Sequence, residues 1–200
     1  LFPYTTLFRS VSPIVYQNSG EYYRGVNADY LALMQKNLNL KIIIKQYDNE
    51  QEALAALANN DVDTLITQLS RRQDVGGNLL RTSVLLTTWP TLVTSLKNTM
   101  LPLTTNHQVS VACVRDCPFL DVIQGAFPEA KVSFYDDEYQ AMASVVNGDN
   151  QYYIGNNITS SHCISRYFSQ SLVITHYFDK QEQYNYFVVN EDQQIGRAHV

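Results

Sequence analysis

Charge is scarce in this 200-residue chain. Charged residues make up 16%, and the 14 Lys and Arg are outnumbered by 19 Asp and Glu, for a formal charge of −5. Phosphate neutralisation needs clustered Lys and Arg, so this balance argues against a nucleic-acid binder. Glycine (8) and proline (6) are few, which excludes collagen-like and low-complexity chains. Long apolar runs are missing too. The longest spans residues 53–58, far too short for a membrane-spanning helix. Absent as well are HExxH, GxSxG, a Walker loop and a Rossmann glycine fingerprint, so no enzyme motif is legible. Apolar content is ample: hydrophobic residues reach 45%, which excludes a disordered chain. The length allows one large domain or two small lobes.

The two ends are expected to be foreign to the fold. Leu1 to Ser10 reads LFPYTTLFRS, which back-translates to a common sequencing-library adapter in frame. IGRAHV at 195–200 back-translates to the matching adapter in the opposite sense. The expectation is that 1–10 and 195–200 add nothing to stability. Without Arg9 and Arg197 the balance is 12 basic against 19 acidic residues.

Between the ends, strand and helix patterns alternate. Residues 11–17 read as a strand, followed by the turn-forming Asn18-Ser19-Gly20-Glu21. Tyr30, Leu31, Leu33, Met34 and Leu38 recur at helical spacing within 27–38. Strands are expected at 41–47 and 62–69, around a helix at 49–60 that Asn49 would cap. Residues 84–96, interrupted by Pro90, read as an extended segment leaving a first lobe, and 97–108 as a connection. The alternation then restarts. Strands are expected at 109–114, 131–135, 152–155, 172–178 and 184–189. Helices are expected at 119–127, 137–147 and 159–168, with Gly148 as a C-cap. This is an α/β chain with largely parallel sheets in two lobes. The lobes are placed at 11–95 plus 184–194, and at 96–183.

Three segments carry a resemblance. The first is Gly20-Glu21-Tyr22-Tyr23-Arg24-Gly25 followed by Asp29-Tyr30-Leu31. The second is Ala53-Leu54 and Leu57 followed by Asp61-Val62-Asp63. The third is Lys131-Val132, Phe134-Tyr135-Asp136-Asp137, Ala141 and the Asn147-Gly148 turn. In order and spacing they resemble bacterial extracellular solute-binding proteins of family three. The resemblance implies a type II periplasmic binding fold, a two-lobed Venus flytrap that closes on a small solute. It also implies that the family's first strand, which should precede Pro13, and a C-terminal helix are truncated here.

In that family an Arg clamps the ligand carboxylate, an Asp its ammonium, and an aromatic ring its side chain. By the resemblance these positions fall here at Val75, Asn156 and Glu50. The clamp is therefore lost, because neutral Asn156 supplies no charge to an ammonium in a dry cleft. The resemblance leaves Thr67, Gln68, Ser70, Arg71 and Arg72 as ligand-facing candidates in the first lobe. In the second it leaves Arg115, Asp116 and Asn156. A scaffold kept without its clamp is similar to the flytrap ectodomains of hybrid sensor histidine kinases of the BvgS and EvgS type. The implied function is a periplasmic sensory or ligand-binding domain, itself not an enzyme and without cofactor. Its implied partners are a small carboxylate or no ligand, and a membrane-anchored kinase. The alternatives are the substrate-binding protein of an ABC transporter, and the regulatory flytrap of a membrane-bound lytic transglycosylase.

Cys113 and Cys117 bracket Val114-Arg115-Asp116, and either a local disulfide or two partly buried thiols fits them. Cys163 is expected to face the core. His162 beside it lacks metal-ligand spacing. Asp136, Asp137 and Glu138 read as acids at a helix start, where the helix dipole favours them.

Overall fold

A computed structural model describes residues 4–8, 16–17, 23–47, 50–67, 79–99, 108–115 and 117–189. The chain divides into two units, 1–87 with 183–200, and 88–182.

In the first unit, β1 (Tyr4–Phe8), β4 (Ile43–Tyr47), β5 (Thr64–Thr67), β6 (Leu79–Thr88) and β12 (Glu182–Val189) form one sheet, ordered β4-β1-β5-β12-β6. β1 runs parallel to both β4 and β5, and β12 antiparallel to β5. Two short strands, β2 (Tyr16–Gln17) and β3 (Tyr23–Arg24), pair separately as a ribbon. Helix α1 (Val26–Leu38) ends at Asn39, whose left-handed φ of 50° closes it. Helix α2 (Glu50–Ala58) buries Ala53, Ala56 and Leu57 against Val62 and Leu65. The i, i+3, i+4 spacing of those three residues puts them on one helix face.

The second unit holds a five-stranded sheet. Its strands are β7 (Pro90–Ser95), β8 (Ser110–Val114), β9 (Lys131–Tyr135), β10 (Tyr152–Asn156) and β11 (Leu172–Tyr177), ordered β11-β7-β10-β8-β9. β9, β8 and β10 are parallel to one another, and β7 is antiparallel to β10 and β11. Side chains alternate across the sheet. Val93, Ala112 and Tyr153 join one core, while Leu92, Val111, Cys113, Tyr152 and Ile154 join the other. Val111-Ala112-Cys113 in β8 and Tyr152-Tyr153-Ile154 in β10 are the continuous apolar runs that a strand buried on both faces needs.

Helices α3 (Leu120–Ala126), α4 (Glu138–Asn147) and α5 (Asn157–Cys163) complete this unit. α5 continues into a π-helical turn at Ile164–Phe168. The side chain of Asp137 accepts from the Gln140 amide at 2.7 Å, and Gly148 closes α4 at φ 85°. One face of α4 is buried through Ala141, Met142, Ser144 and Val145.

Three expectations differ from the structure. Pro90–Ser95, read as the end of the first lobe, is hydrogen-bonded into the second unit's sheet with all six residues buried. Pro90 opens that strand, a position where a missing N–H is tolerated. Second, the position at which the family's first strand is expected to be missing is occupied by Tyr4–Phe8, an interior strand of the first sheet. Tyr, Thr, Leu and Phe are strand-compatible whatever their origin. Third, the helix expected to begin at Thr159 begins at Asn157, because Asn156 caps it. The proposed turn at 18–21, the cap at Asn49 and the segment 195–200 lie outside the described residues.

Candidate functional site

The sheet of the second unit gathers its polar candidates at one edge. β9, β8 and β10 are adjacent and parallel, so their carboxyl ends lie side by side. Asp136 follows β9, Arg115 follows β8, and Asn156 ends β10. The register pairs Val114 with Tyr135 and Ala112 with Tyr153. Carried forward, it places Arg115 level with Asp136 on one side and Asn156 on the other. Parallel α/β sheets present ligand-binding groups at this edge.

Each of these side chains already has protein partners. Arg115 Nε donates to Asp136 Oδ1 at 2.5 Å, with the two side chains 68% and 65% exposed. Its backbone N–H donates to the Tyr135 carbonyl at 2.8 Å. Asn156 is 6% exposed, and its Oδ1 accepts from the amides of Ile158 (3.0 Å) and Thr159 (2.9 Å). That is an N-cap, which satisfies two of the orphan donors at the start of α5. Next to it, Asn157 Oδ1 accepts from the Trp89 amide at 3.0 Å, and the Asn157 amide donates to the Trp89 carbonyl at 2.9 Å. Thr91 Oγ1 donates to the Gly155 carbonyl and lies 3.0 Å from Ser160 Oγ. The edge is thus braced by its own hydrogen bonds.

Cys113 and Cys117 form a disulfide with Cα atoms 6.0 Å apart, closing the turn that carries Arg115. Cys163 is a buried free thiol, pushed up to about 11 by burial and by the nearby Glu138 and Asp137. A thiol that stays protonated is a poor nucleophile. Elsewhere in the unit, Lys180 Nζ meets both Asp121 oxygens at 2.7 and 2.8 Å. That hydrogen bond holds the Asp121 carboxyl below its ordinary value. Glu182 is pushed up to about 7, first by burial and then by Asp121, against the pull of Lys180. Its Oε2 is buried with no hydrogen-bond partner among the described residues.

Of the eight expected ligand residues, Arg115 and Asn156 are placed at this edge. Thr67 ends β5 in the first unit, paired with Asn185. Gln68, Ser70, Arg71, Arg72 and Asp116 lie outside the described residues. The sequence reading missed that Asp136 holds Arg115 and that Asn157 clamps Trp89. An Asn-Asn pair before a helical pattern is the capping signal that could have revealed the second. Among the described residues no group of three or more His, Cys, Asp and Glu could hold a metal ion. Among them, too, no helix is long and apolar enough to cross a membrane.

The geometry has clear relatives. The chain is 38% identical over 182 residues to the sensor protein EvgS of Escherichia coli K12, covering 91% of this chain and 15% of EvgS. It is 28% identical over 159 residues to the virulence sensor protein BvgS of Bordetella pertussis Tohama I, covering 78% of this chain and 12% of BvgS. The crystal structure of the B. pertussis BvgS periplasmic VFT2 domain superposes with a TM-score of 0.76 at 22% identity, covering 94% of this chain and 80% of that one. The chain therefore spans about 15% or less of the curated relatives it matches. No protein-family model matches it.

Proposed function

Because the chain is homologous to the Venus flytrap sensor domains of EvgS and BvgS, we propose that it is a periplasmic sensory flytrap domain of a hybrid sensor histidine kinase. The observation that carries this reading is the 38% identity to EvgS across 91% of the chain. The edge chemistry supports sensing over amino-acid capture. Asn156, where the family resemblance puts the ammonium-binding Asp, is neutral, buried and committed to capping α5. Arg115, the cation that the described residues place at this edge, already holds Asp136. A ligand carboxylate would exchange one exposed ion pair for another, and such exchanges gain little.

We infer that the domain works with a weakly held small carboxylate or without a ligand, and that its conformational bias is passed to a membrane-anchored kinase. Calorimetric titration with a panel of α-amino acids and small dicarboxylates tests this. No submicromolar α-amino-acid binding is expected. Submicromolar affinity for one α-amino acid would instead favour the transporter reading.

A further inference from the structure

The second unit's sheet ends on β9, and among the described residues no strand lies beyond it. Its ladder to β8 runs unbroken from Ser110↔Lys131 to Val114↔Tyr135. The Lys131 amide donates to the Val109 carbonyl at 2.8 Å, and the Tyr135 carbonyl accepts from the Arg115 amide at 2.8 Å. Backbone groups alternate sides along a strand, so Lys131, Ser133 and Tyr135 bond β8. The N–H and C=O groups of Val132 and Phe134 therefore point to the open edge. The Phe134 side chain beside them is 50% exposed. β9 carries neither proline nor bulge. The opposite edge strand, β11, is interrupted by a register shift between Ile174 and His176, one of the devices that blunts an edge.

We propose that β9 is a self-recognition edge: two copies of this chain join antiparallel through it, about a two-fold axis at Ser133. The outward groups are self-complementary in that register. Val132 of each copy lies opposite Phe134 of the other, and the two residues exchange both of their N–H to C=O bonds. Val132 packs against the buried cluster around Val111 and Ile123. The cross-strand pair sets the exposed Phe134 ring of one copy beside Val132 of the other. Charge agrees with this register. Lys131 comes opposite Tyr135 of the other copy and diagonal to its Asp137, and Lys131 and Asp137 are both exposed. This pairing depends on strand order and register, and not on what the domain senses.

The test is oxidative cross-linking of Ser133→Cys in the full chain. On the two-fold axis position 133 meets its own copy as a non-hydrogen-bonded pair, with Cα atoms about 4.5 Å apart, within the span of a disulfide. Lys131→Cys is the control, since position 131 lies about 13 Å along the strands from its own copy. Cys113 and Cys117 are bridged and Cys163 is buried, so the introduced thiol is the accessible one. Ser133→Cys is expected to form a covalent dimer at least tenfold faster than Lys131→Cys. Sedimentation equilibrium of the unmodified chain is expected to show a concentration-dependent dimer. Phe134→Pro removes one outward N–H from each copy and leaves the β8 ladder bonded. It should raise the dissociation constant at least tenfold with an unchanged circular dichroism spectrum. Phe134→Lys keeps the N–H, places a charge on the edge and should weaken the dimer likewise. A monomer at every concentration would overturn the proposal. So would equal cross-linking at positions 133 and 131, or a dimer as tight with Phe134→Lys as without it.

Discussion

The Tyr153 ring lies directly over Gly155, two residues further along the same strand. A Cβ at position 155 would come within 2.7 Å of Tyr153 Cζ and closer still to its hydroxyl oxygen. Both residues are buried in β10, the central strand of the second unit. The absence of a side chain at 155 is what lets a large aromatic residue lie flat in that core.

Gly155→Ala should therefore destabilise the second unit through overpacking, by about 1–3 kcal/mol. Chemical denaturation followed by circular dichroism would show it as a lower midpoint. Gly125→Ala serves as the control, because a Cβ there meets nothing within 4 Å. That change should leave stability the same or raise it slightly, since Ala is the better helix former.

Asn156→Ala should cost about 1–2 kcal/mol, since two amides of α5 lose their acceptor. Asn156→Asp should keep the cap and nearly all of the stability. A ligand role predicts something else: both variants would change binding and neither would shift the thermal midpoint. Thermal melts of the two variants side by side separate these outcomes.

Much of this was legible in the sequence, for physical reasons. Ala53, Leu57 and Val62 announce a helix and strand because burial selects their spacing. Asp137 and Gly148 bound α4 because their side-chain and backbone chemistry is local. Pro90–Ser95 reads locally as the end of the first lobe, because membership of a sheet is decided by long-range pairing, which a window of residues does not contain. Asn156 stands where the family has a ligand-binding Asp, and that position by itself does not reveal the cap it makes for α5. Tyr4–Phe8 carries adapter-like codons, yet Tyr, Thr and Phe favour a strand whatever their origin. At the candidate site, the sequence located Arg115 and Asn156 at strand ends. It did not foresee that Asp136 and the α5 amides would engage them.

The disulfide invites its own prediction. Cys113 and Cys117 are separated by 4 in sequence, so the loop they close is short. Loop-closure entropy for so short a loop is worth roughly 2 kcal/mol at most. The Cys113→Ala/Cys117→Ala variant should melt lower by a corresponding few degrees and remain folded. Complete unfolding of that variant would mean that the bridge does more than close its own turn.

Glu182 should make stability depend on pH. Its carboxyl sits at about 7 in the folded chain against an ordinary value of 4.5. Between those values the folded state holds a proton that the unfolded state has released, so stability falls as pH rises through this window. Below pH 4.5 both states are protonated and the effect vanishes. Glu182→Gln should therefore stabilise the protein at pH 8 by about 1 kcal/mol, discounted for partial exposure, and leave it unchanged at pH 4. Thermal midpoints of both proteins from pH 4 to pH 8 would reveal the divergence. Parallel curves would show that the Glu182 carboxyl titrates alike in the folded and unfolded chain.

The sensory reading meets its most direct measurement in a domain exchange. The segment of E. coli EvgS that matches this chain would be replaced by the chain itself, and signalling output read from an EvgS-dependent reporter. A chimera that accumulates normally is expected to signal above a strain lacking EvgS, with Arg115→Ala in the inserted segment shifting that output. A chimera that accumulates normally, folds by limited proteolysis and gives no output under any condition that activates EvgS would contradict it.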